Sequence, residues 1–446
     1  MRRRTAGSDD HVAGVPARYV AAPASTGEAA EVLGAAAADE LAVVIRGGGT
    51  KLEWGLPPRR LDLIVDTHRL TGVVEHAAGD LITVVRAGTA LAALDFGPQR
   101  LALESPLPGA TVGGALAANT SGPRRLLHGT ARDLVIGMTV VRPDGTVTRS
   151  GGKVVKNVAG YDLGKLFTGA YGTLGLITEC AFRLHPVAPA GAVVLREADG
   201  PEVGPLLAAI RAEQVVPSAV ELDRPGPGPA TIAVLLEGTA EGVRERAARL
   251  EKVLGGTTGD LPPWWGAYPW APGGTGVKLT AALSRVPELL AAAPEVPVRG
   301  SAGAGVLYAA PTGDVPRTVE LLRAAAVRAG GHAVVLTAPP EVRDAVDMWG
   351  PVPGLDLMRR VKDRFDPGHR FAPGRFVGGI WWPEPERTNR RGTSSGPSPA
   401  PRPSTTTGRP AGNSPATACT AASASPPARR TCCGARRRTR PGAGST

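Results

Sequence analysis

The residues best suited to chemistry fall in glycine clusters. The first, Arg46-Gly47-Gly48-Gly49-Thr50, follows the apolar, mostly β-branched run Leu41–Ile45. Successive backbone N–H groups can converge on an anion, and glycine takes positive φ without steric cost. Side chains there would hold the main chain away from a phosphate. Gly47-Gly48-Gly49, with Arg46 nearby, therefore reads as a pyrophosphate cradle or as a flexible turn, and the triplet alone does not choose. It lacks the G-x-G-x-x-G spacing and following helix of a dinucleotide crossover, and it lacks the order of a P-loop.

Two further clusters shift the balance. Gly109-Ala110-Thr111-Val112-Gly113-Gly114 leads into "VGGALAAN", which reads as a short helix, and then into Asn119-Thr120-Ser121-Gly122. A helix start presents free N–H groups and a partial positive charge, and Thr111 and Ser121 add hydroxyl donors. Gly169, Gly172-Thr173-Leu174-Gly175 and Leu176-Ile177-Thr178 form a third, small-residue stretch, read as a strand along which a flat ring can lie. Three such clusters, each beside an apolar strand, point to a long dinucleotide.

The elements that must position them follow from pattern. Ser25-Thr26-Gly27-Glu28 has the form of a capping box, and helical spacing continues through Ala36. Leu41–Ile45, Leu61–Asp66 and Leu81–Gly88 read as strands. "LVIGMTVVRPDGTV" reads as a hairpin turned by Pro143-Asp144-Gly145. From Val187 helical stretches ("PLLAAIRAEQ", "EGVRERAARLEKVLGG") alternate with strands ("ATIAVLLEG", "AVVLTAP"), an α+β pattern taken as a second domain. "VKDRFDPGHRFAPGRF" closes the globular part. After Trp382 the chain turns to Pro, Ser, Thr, Arg and Ala without apolar periodicity, the composition of a disordered tail.

The chain has 446 residues, 42% hydrophobic, with 59 glycines and 43 prolines. Its net charge of +11 suggests nucleic acid, but 11 arginines against 2 glutamates from Glu384 onward account for +9 of it. The remaining +2 and the absence of a basic, aromatic-studded patch argue against nucleic-acid binding. Cys180 reads as a buried thiol, and Cys419, Cys432 and Cys433 lie in the tail, so no disulfide framework is expected and a reducing compartment is. The basic N-terminus lacks an apolar secretory core, and no apolar run approaches a membrane span.

"RGGGTK", "PLPGATVGGALAANTSGP", "GGKVVKNVAGYDLGKLFTGAYGTLGLITE" and "DPGHRFAPGRF" occur in this order and together resemble the FAD-binding oxidoreductases of the vanillyl-alcohol oxidase, or PCMH-type, fold. Within it they are most similar to the FAD-binding E subunits of bacterial glycolate oxidases, over roughly residues 15 to 380. The resemblance implies an α+β protein: a PCMH-type, two-subdomain FAD-binding domain at 15–186, a smaller α+β cap domain at 187–360, a closing segment at 361–383 and a tail at 384–446. It assigns Arg46, Gly47, Gly48, Gly49 and Thr50 to the first pyrophosphate loop. Pro108, Gly109, Ala110, Thr111, Gly113, Gly114, Ser121 and Gly122 would contact pyrophosphate and flavin, and Gly172, Thr173, Gly175 and Ile177 would line the cofactor. Several relatives link flavin covalently through a histidine where this chain has Thr50, which implies non-covalent FAD. Asn157, Tyr161 and Asp162, in the "KNVAGYD" stretch, either fix a loop beside the flavin or, for Tyr161, transfer a proton.

The resemblance further implies oxidation of a 2-hydroxy acid to a 2-keto acid, with electrons leaving through iron–sulfur centres. The expected partners are a catalytic FAD subunit and an iron–sulfur subunit of one complex. The expected place is the cytoplasm, with any attachment to the inner face of the membrane made through those partners. Catalytic relatives carry a H-x-G-D-G-N-x-x-H motif, and this sequence has none. Beyond Pro186 only His332 and His369 remain, both read as structural, so no catalytic residue and no metal ligand is assigned. A stand-alone FAD-linked 2-hydroxy-acid dehydrogenase and a non-catalytic flavin-binding or structural subunit are the alternatives. Arg46, Arg299 and Arg375 are conceivable carboxylate holders, or are solvated or ion-paired. The tryptophans Trp264, Trp265 and Trp270 read as packing, a partner surface or a lid.

The tail admits a second reading. With GC-rich codons and a shifted frame, "ACTAASASPPARRTCCGARRR" permits four cysteines at the places of Ala418, Ala421, Ala424 and Ala428. Their spacing, C-x2-C-x2-C-x3-C-P, is that of a [4Fe–4S] site. The tail from about Glu384 is thus either a frameshifted read into an iron–sulfur region or a disordered extension.

Overall fold

The computed structural model describes residues 3–153 and 160–379. Asn157 and the whole tail, including its alternative reading, lie outside them.

The helix Thr26–Ala38 starts as its sequence predicts. The Ser25 hydroxyl accepts from the Glu28 amide at 3.1 Å, and the Glu28 carboxylate accepts from the Ala24 amide at 2.9 Å. Its buried stripe, Ala29, Val32, Leu33 and Ala36, repeats at helical spacing. That stripe packs on a sheet of four strands, in the order Arg4–Thr5, Tyr19–Ala21, Leu63–Asp66, Val43–Arg46. The last three run parallel, and the helix is the crossover from Tyr19–Ala21 to Val43–Arg46. The ladder begins two residues later than the apolar run suggests, because the Ala42 amide is taken by the Asp62 carboxylate at 2.8 Å. The register ends at Arg46↔Asp66, which delivers Gly47 at the sheet's C-terminal edge.

A second, antiparallel sheet orders Val147–Gly151, Val135–Val141, Leu176–Arg183, Ile82–Arg86 and Val73–Ala77. The expected hairpin is its first pair, with Gly145 at φ +85° in the turn. The closing segment returns to the first sheet. Val43 donates to Arg370 O and accepts from the Ala372 amide, each at 2.7 Å, and Phe371 is fully buried between them.

Residues 190–337 build an eight-stranded antiparallel sheet: Thr257–Gly259, Ala190–Ala198, Ala230–Gly238, Ala219–Arg224, Val298–Ser301, Val306–Ala309, Gly276–Thr280, Ala333–Thr337. Strand alternation divides its side chains. Val234, Leu236 and Leu307 face the helices Gly200–Ala212, Ala240–Leu254 and Val315–Arg328. Tyr308 points to the other face, where it meets Trp54 and Tyr268. Among the described residues no helix is long and apolar enough to cross a membrane.

Candidate functional site

The glycine loop after Val43–Arg46 and the turn before the helix Val112–Ala117 are pressed together. A β-carbon on Gly47 would stand 2.4 Å from Thr111 Oγ1, and one on Gly48 would stand 1.9 Å from Gly109 O. Gly49 holds φ +74°. Main chain therefore forms this wall. Thr111 caps its helix by accepting from the Gly114 amide at 3.3 Å. Gly113 sits so close to Ala87 that a β-carbon would lie 2.8 Å from the alanine's own.

Two adjoining recesses open along this wall, sharing Ile45, Gly47, Gly114, Ala117 and Tyr171. The first is lined without any charged side chain; Gly113, Phe167, Gly172, Gly175 and Ile177 are among its walls. The second is lined by Gly48, Gly49, Thr50, Thr111, Lys51 and Arg375. Among the described residues the amides of Gly48, Gly49 and Thr50 donate no hydrogen bond. Three consecutive unsatisfied donors on a concave wall are the arrangement that an anion completes.

Ten of the expected residues thus meet on one cleft: Gly47, Gly48, Gly49, Thr50, Thr111, Gly113, Gly114, Gly172, Gly175 and Ile177. The other seven do not line it. Arg46 turns to two carboxylates, with Nε 2.7 Å from Asp66 and Nη1 3.0 Å from Asp10. Pro108 and Gly109 are exposed in the loop that backs Gly48, and Ala110 is buried beside them. The Ser121 hydroxyl accepts from the Ala131 amide at 2.9 Å, and Gly122 abuts Glu104. Thr173 donates to Ala170 O at 2.6 Å. Gly172 and Gly175 belong to a turn and not to the expected strand, which begins at Leu176; Gly169, Tyr171 and Gly172 all take positive φ there.

Several other candidates are engaged elsewhere. Tyr161 is 91% exposed and lines neither recess. Arg299 is paired to Asp223 at 2.7 Å and donates to Tyr268 O. His332 is exposed, and His369 lies 3.3 Å from Asp363. Trp264 and Trp265 pack on the eight-stranded sheet, while Trp270 stacks on Tyr268 at 4.4 Å between ring centres.

Three residues of this neighbourhood were not legible as site residues. Tyr171 lines both recesses in a left-handed conformation rare for a tyrosine, and burial pushes its phenol up. Lys51 lines the second recess, where burial brings its ammonium down to about 8. Tyr308 arrives from the eight-stranded sheet in a cluster that packs against Tyr171 and Ala118. Burial opposes ionisation of the Tyr308 phenol, but Arg125, 3.3 Å away, together with Lys278 holds it below its ordinary value. Nearby, burial pushes the Glu221 carboxyl up to about 7 although the Ser301 hydroxyl donates to it at 2.5 Å.

Residues 17–151 match the family model described as an FAD binding domain. An FAD-linked oxidoreductase of Mycobacterium tuberculosis is 34% identical over 220 residues, covering 48% of this chain and 48% of that protein. The glycolate oxidase subunit GlcE of Escherichia coli is 39% identical over 173 residues, 37% of this chain and 49% of that subunit. A D-lactate dehydrogenase of Archaeoglobus fulgidus is 37% identical over 171 residues, covering 37% and 38%. Each match spans about half or less of the relative's own length. Among solved structures, p-cresol methylhydroxylase superimposes with a TM-score of 0.59 at 16% identity, covering 83% of this chain and 90% of that one. An alkyldihydroxyacetonephosphate synthase does so with 0.59 at 15%, covering 80% and 77%. At such identities these two likenesses concern the fold alone.

Proposed function

We propose, from the match of residues 17–151 to an FAD binding domain, that the chain is the FAD-binding subunit of a glycolate oxidase-like complex. It oxidises a 2-hydroxy acid to a 2-keto acid, and the electrons pass to iron–sulfur centres of a partner. The single observation that carries the reading is the convergence of Gly47–Thr50, Gly113-Gly114 and Gly172–Gly175 on one cleft.

The residues present fit the cofactor. The free amides of Gly48, Gly49 and Thr50 suit a diphosphate, and the uncharged first recess suits a flat ring system. Bound FAD supplies the two-electron acceptor for the substrate's hydride. The chain's own residues would bind and orient it: main chain would grip the diphosphate, Ile45, Phe167 and Ile177 would exclude water from the ring, and Thr50 would leave the flavin unlinked. Tyr308 of the eight-stranded sheet and Tyr268 cluster with Tyr171 and Ala118 of the cleft's wall, and a substrate would enter beside them. The relatives, a glycolate oxidase subunit and a D-lactate dehydrogenase, support a 2-hydroxy acid as the substrate class.

The experiment is to purify the full chain, read its flavin absorbance, and add glycolate or D-lactate without oxygen. A yellow protein that bleaches only with its partner subunits is the expected result. A yellow protein that bleaches alone supports the stand-alone dehydrogenase, and a yellow protein inert even in the complex supports the non-catalytic subunit. A chain that takes up no flavin with its partners present defeats the reading.

A further inference from the structure

We propose that Lys51 and Arg375 form an anion subsite of the second recess and hold the carboxylate of the substrate; the inference rests on the functional reading above. Both side chains line that recess, and no aspartate or glutamate does. Arg375 is only 4% exposed. Its Nη2 is fixed by donating to Leu52 O and Trp54 O, each at 2.9 Å. Its Nη1 is buried and, among the described residues, has no hydrogen-bond partner. A buried guanidinium nitrogen without a partner loses hydration for nothing in return. Burial accordingly brings Arg375 down to about 10. The nearby carboxylate, Glu53, is paired to Arg343 at 3.5 Å, and among the described residues Arg375 is in no ion pair.

Lys51 is half-buried in the same recess. Its ammonium donates to Thr50 Oγ1 at 3.2 Å and lies 5.8 Å from the centre of the Trp54 ring, and among the described residues no carboxylate is paired with it. Burial of two cations against one recess is costly unless an anion joins them. Arginine's planar fork suits a carboxylate.

Lys51 reaches the loop of unsatisfied amides through Thr50, while Arg375 is anchored further along the chain. The unsatisfied amides lie at Gly48–Thr50, whereas Arg375 is held by the loop Leu52–Trp54. That loop meets the eight-stranded sheet, with the Gly55 amide donating to Leu336 O at 3.0 Å and Trp54 packed on Tyr268. Arg375 is therefore held by a loop that is itself tied to that sheet.

The test uses the flavin-loaded full chain and oxalate, a small carboxylate that cannot be oxidised as a hydroxy acid. Binding is followed by calorimetry and by perturbation of the flavin absorbance, and flavin content is measured separately. Lys51→Gln and Arg375→Gln are expected to weaken oxalate binding at least tenfold with the FAD-to-protein ratio unchanged. Lys51→Arg, which keeps the charge, is expected to bind within about threefold of the parent. Because Arg375 is buried, the conservative Arg375→Lys serves where the glutamine variant does not fold, and it too is expected to weaken binding. Unchanged oxalate binding in Lys51→Gln and in a folded Arg375 variant overturns the subsite. So does loss of FAD from these variants with oxalate binding per loaded chain intact, which would assign the cations to the cofactor. A loaded chain indifferent to oxalate overturns the inference alone, whereas a chain that never holds FAD overturns the functional reading first.

Discussion

Gly48 rests against the carbonyl of Gly109 so closely that a β-carbon on Gly48 would lie 1.9 Å from that oxygen. The contact brings two loops distant in sequence onto one cleft, and both contacting atoms are backbone. Gly48→Ala must therefore part the loops. We expect a loss of about 1–3 kcal/mol of stability, the usual range for overpacking, and a much lower flavin content. Absorbance at the flavin band relative to protein, together with urea unfolding, checks this; an alanine variant as yellow and as stable as the parent contradicts it.

The resemblance implies that Thr50 takes the place of the histidine through which several relatives link flavin covalently. Acid precipitation of the flavin-loaded chain is expected to leave all the yellow colour in the supernatant. Flavin fluorescence that remains with the precipitated, denatured polypeptide would disprove non-covalent binding.

Lys362 is 1% exposed. It bonds Asp366 at 2.6 Å, Thr173 O at 2.7 Å and Phe371 O at 2.9 Å. It thereby joins the helix Leu355–Phe365 to the turn that shapes the first recess and to the closing segment on the first sheet. Lys362→Met leaves the Asp366 charge buried without its partner, which costs about 3–5 kcal/mol. Adding Asp366→Asn is expected to recover part of that loss. Chemical denaturation of the two variants measures both effects, and a single variant within 1 kcal/mol of the parent, on the order of an exposed pair, would show the pair to be dispensable.

Glu237, on the strand Ala230–Gly238, is paired with Arg100 at 2.9 Å and Arg124 at 3.0 Å. Burial opposes its ionisation, but Arg124 above all outweighs it, with a smaller contribution from Arg100, and brings the carboxyl down to about 2. A carboxyl lowered on folding contributes stability that is fully present above its ordinary value near 4.5 and lost as pH falls toward 2. His185 acts earlier in the same direction. Burial, then the neighbouring His128, brings it from 6.5 to about 4, so its contribution is lost as pH falls between those values. Unfolding midpoints are expected to fall from pH 6.5 downward and to keep falling below 4.5. Glu237→Gln should flatten the lower part while costing about 1–3 kcal/mol at pH 7. A parent protein equally stable at pH 7 and pH 4 would refute this account.

Local pattern determined much of what is seen. The Ser25/Glu28 cap, the strand ending at the glycine triplet, the Pro143-Asp144-Gly145 hairpin and the α+β alternation after Val187 each depend on neighbours within a few residues, whereas the close approaches that demand glycine at Gly47, Gly48 and Gly113 are made by Thr111, Gly109 and Ala87, far along the chain. Tertiary structure alone decided which of those residues share a cleft. Arg46 was drawn away because Asp10 and Asp66, 36 residues before and 20 after, come to its side of the sheet. Lys51, Tyr171 and Arg375 became neighbours of one recess although 324 residues separate the first from the last. No period or propensity encodes such a meeting. It follows from the closing segment pairing with Val43 and from the eight-stranded sheet turning its aromatic face to the loops, long-range contacts whose geometry exists only once the chain has packed.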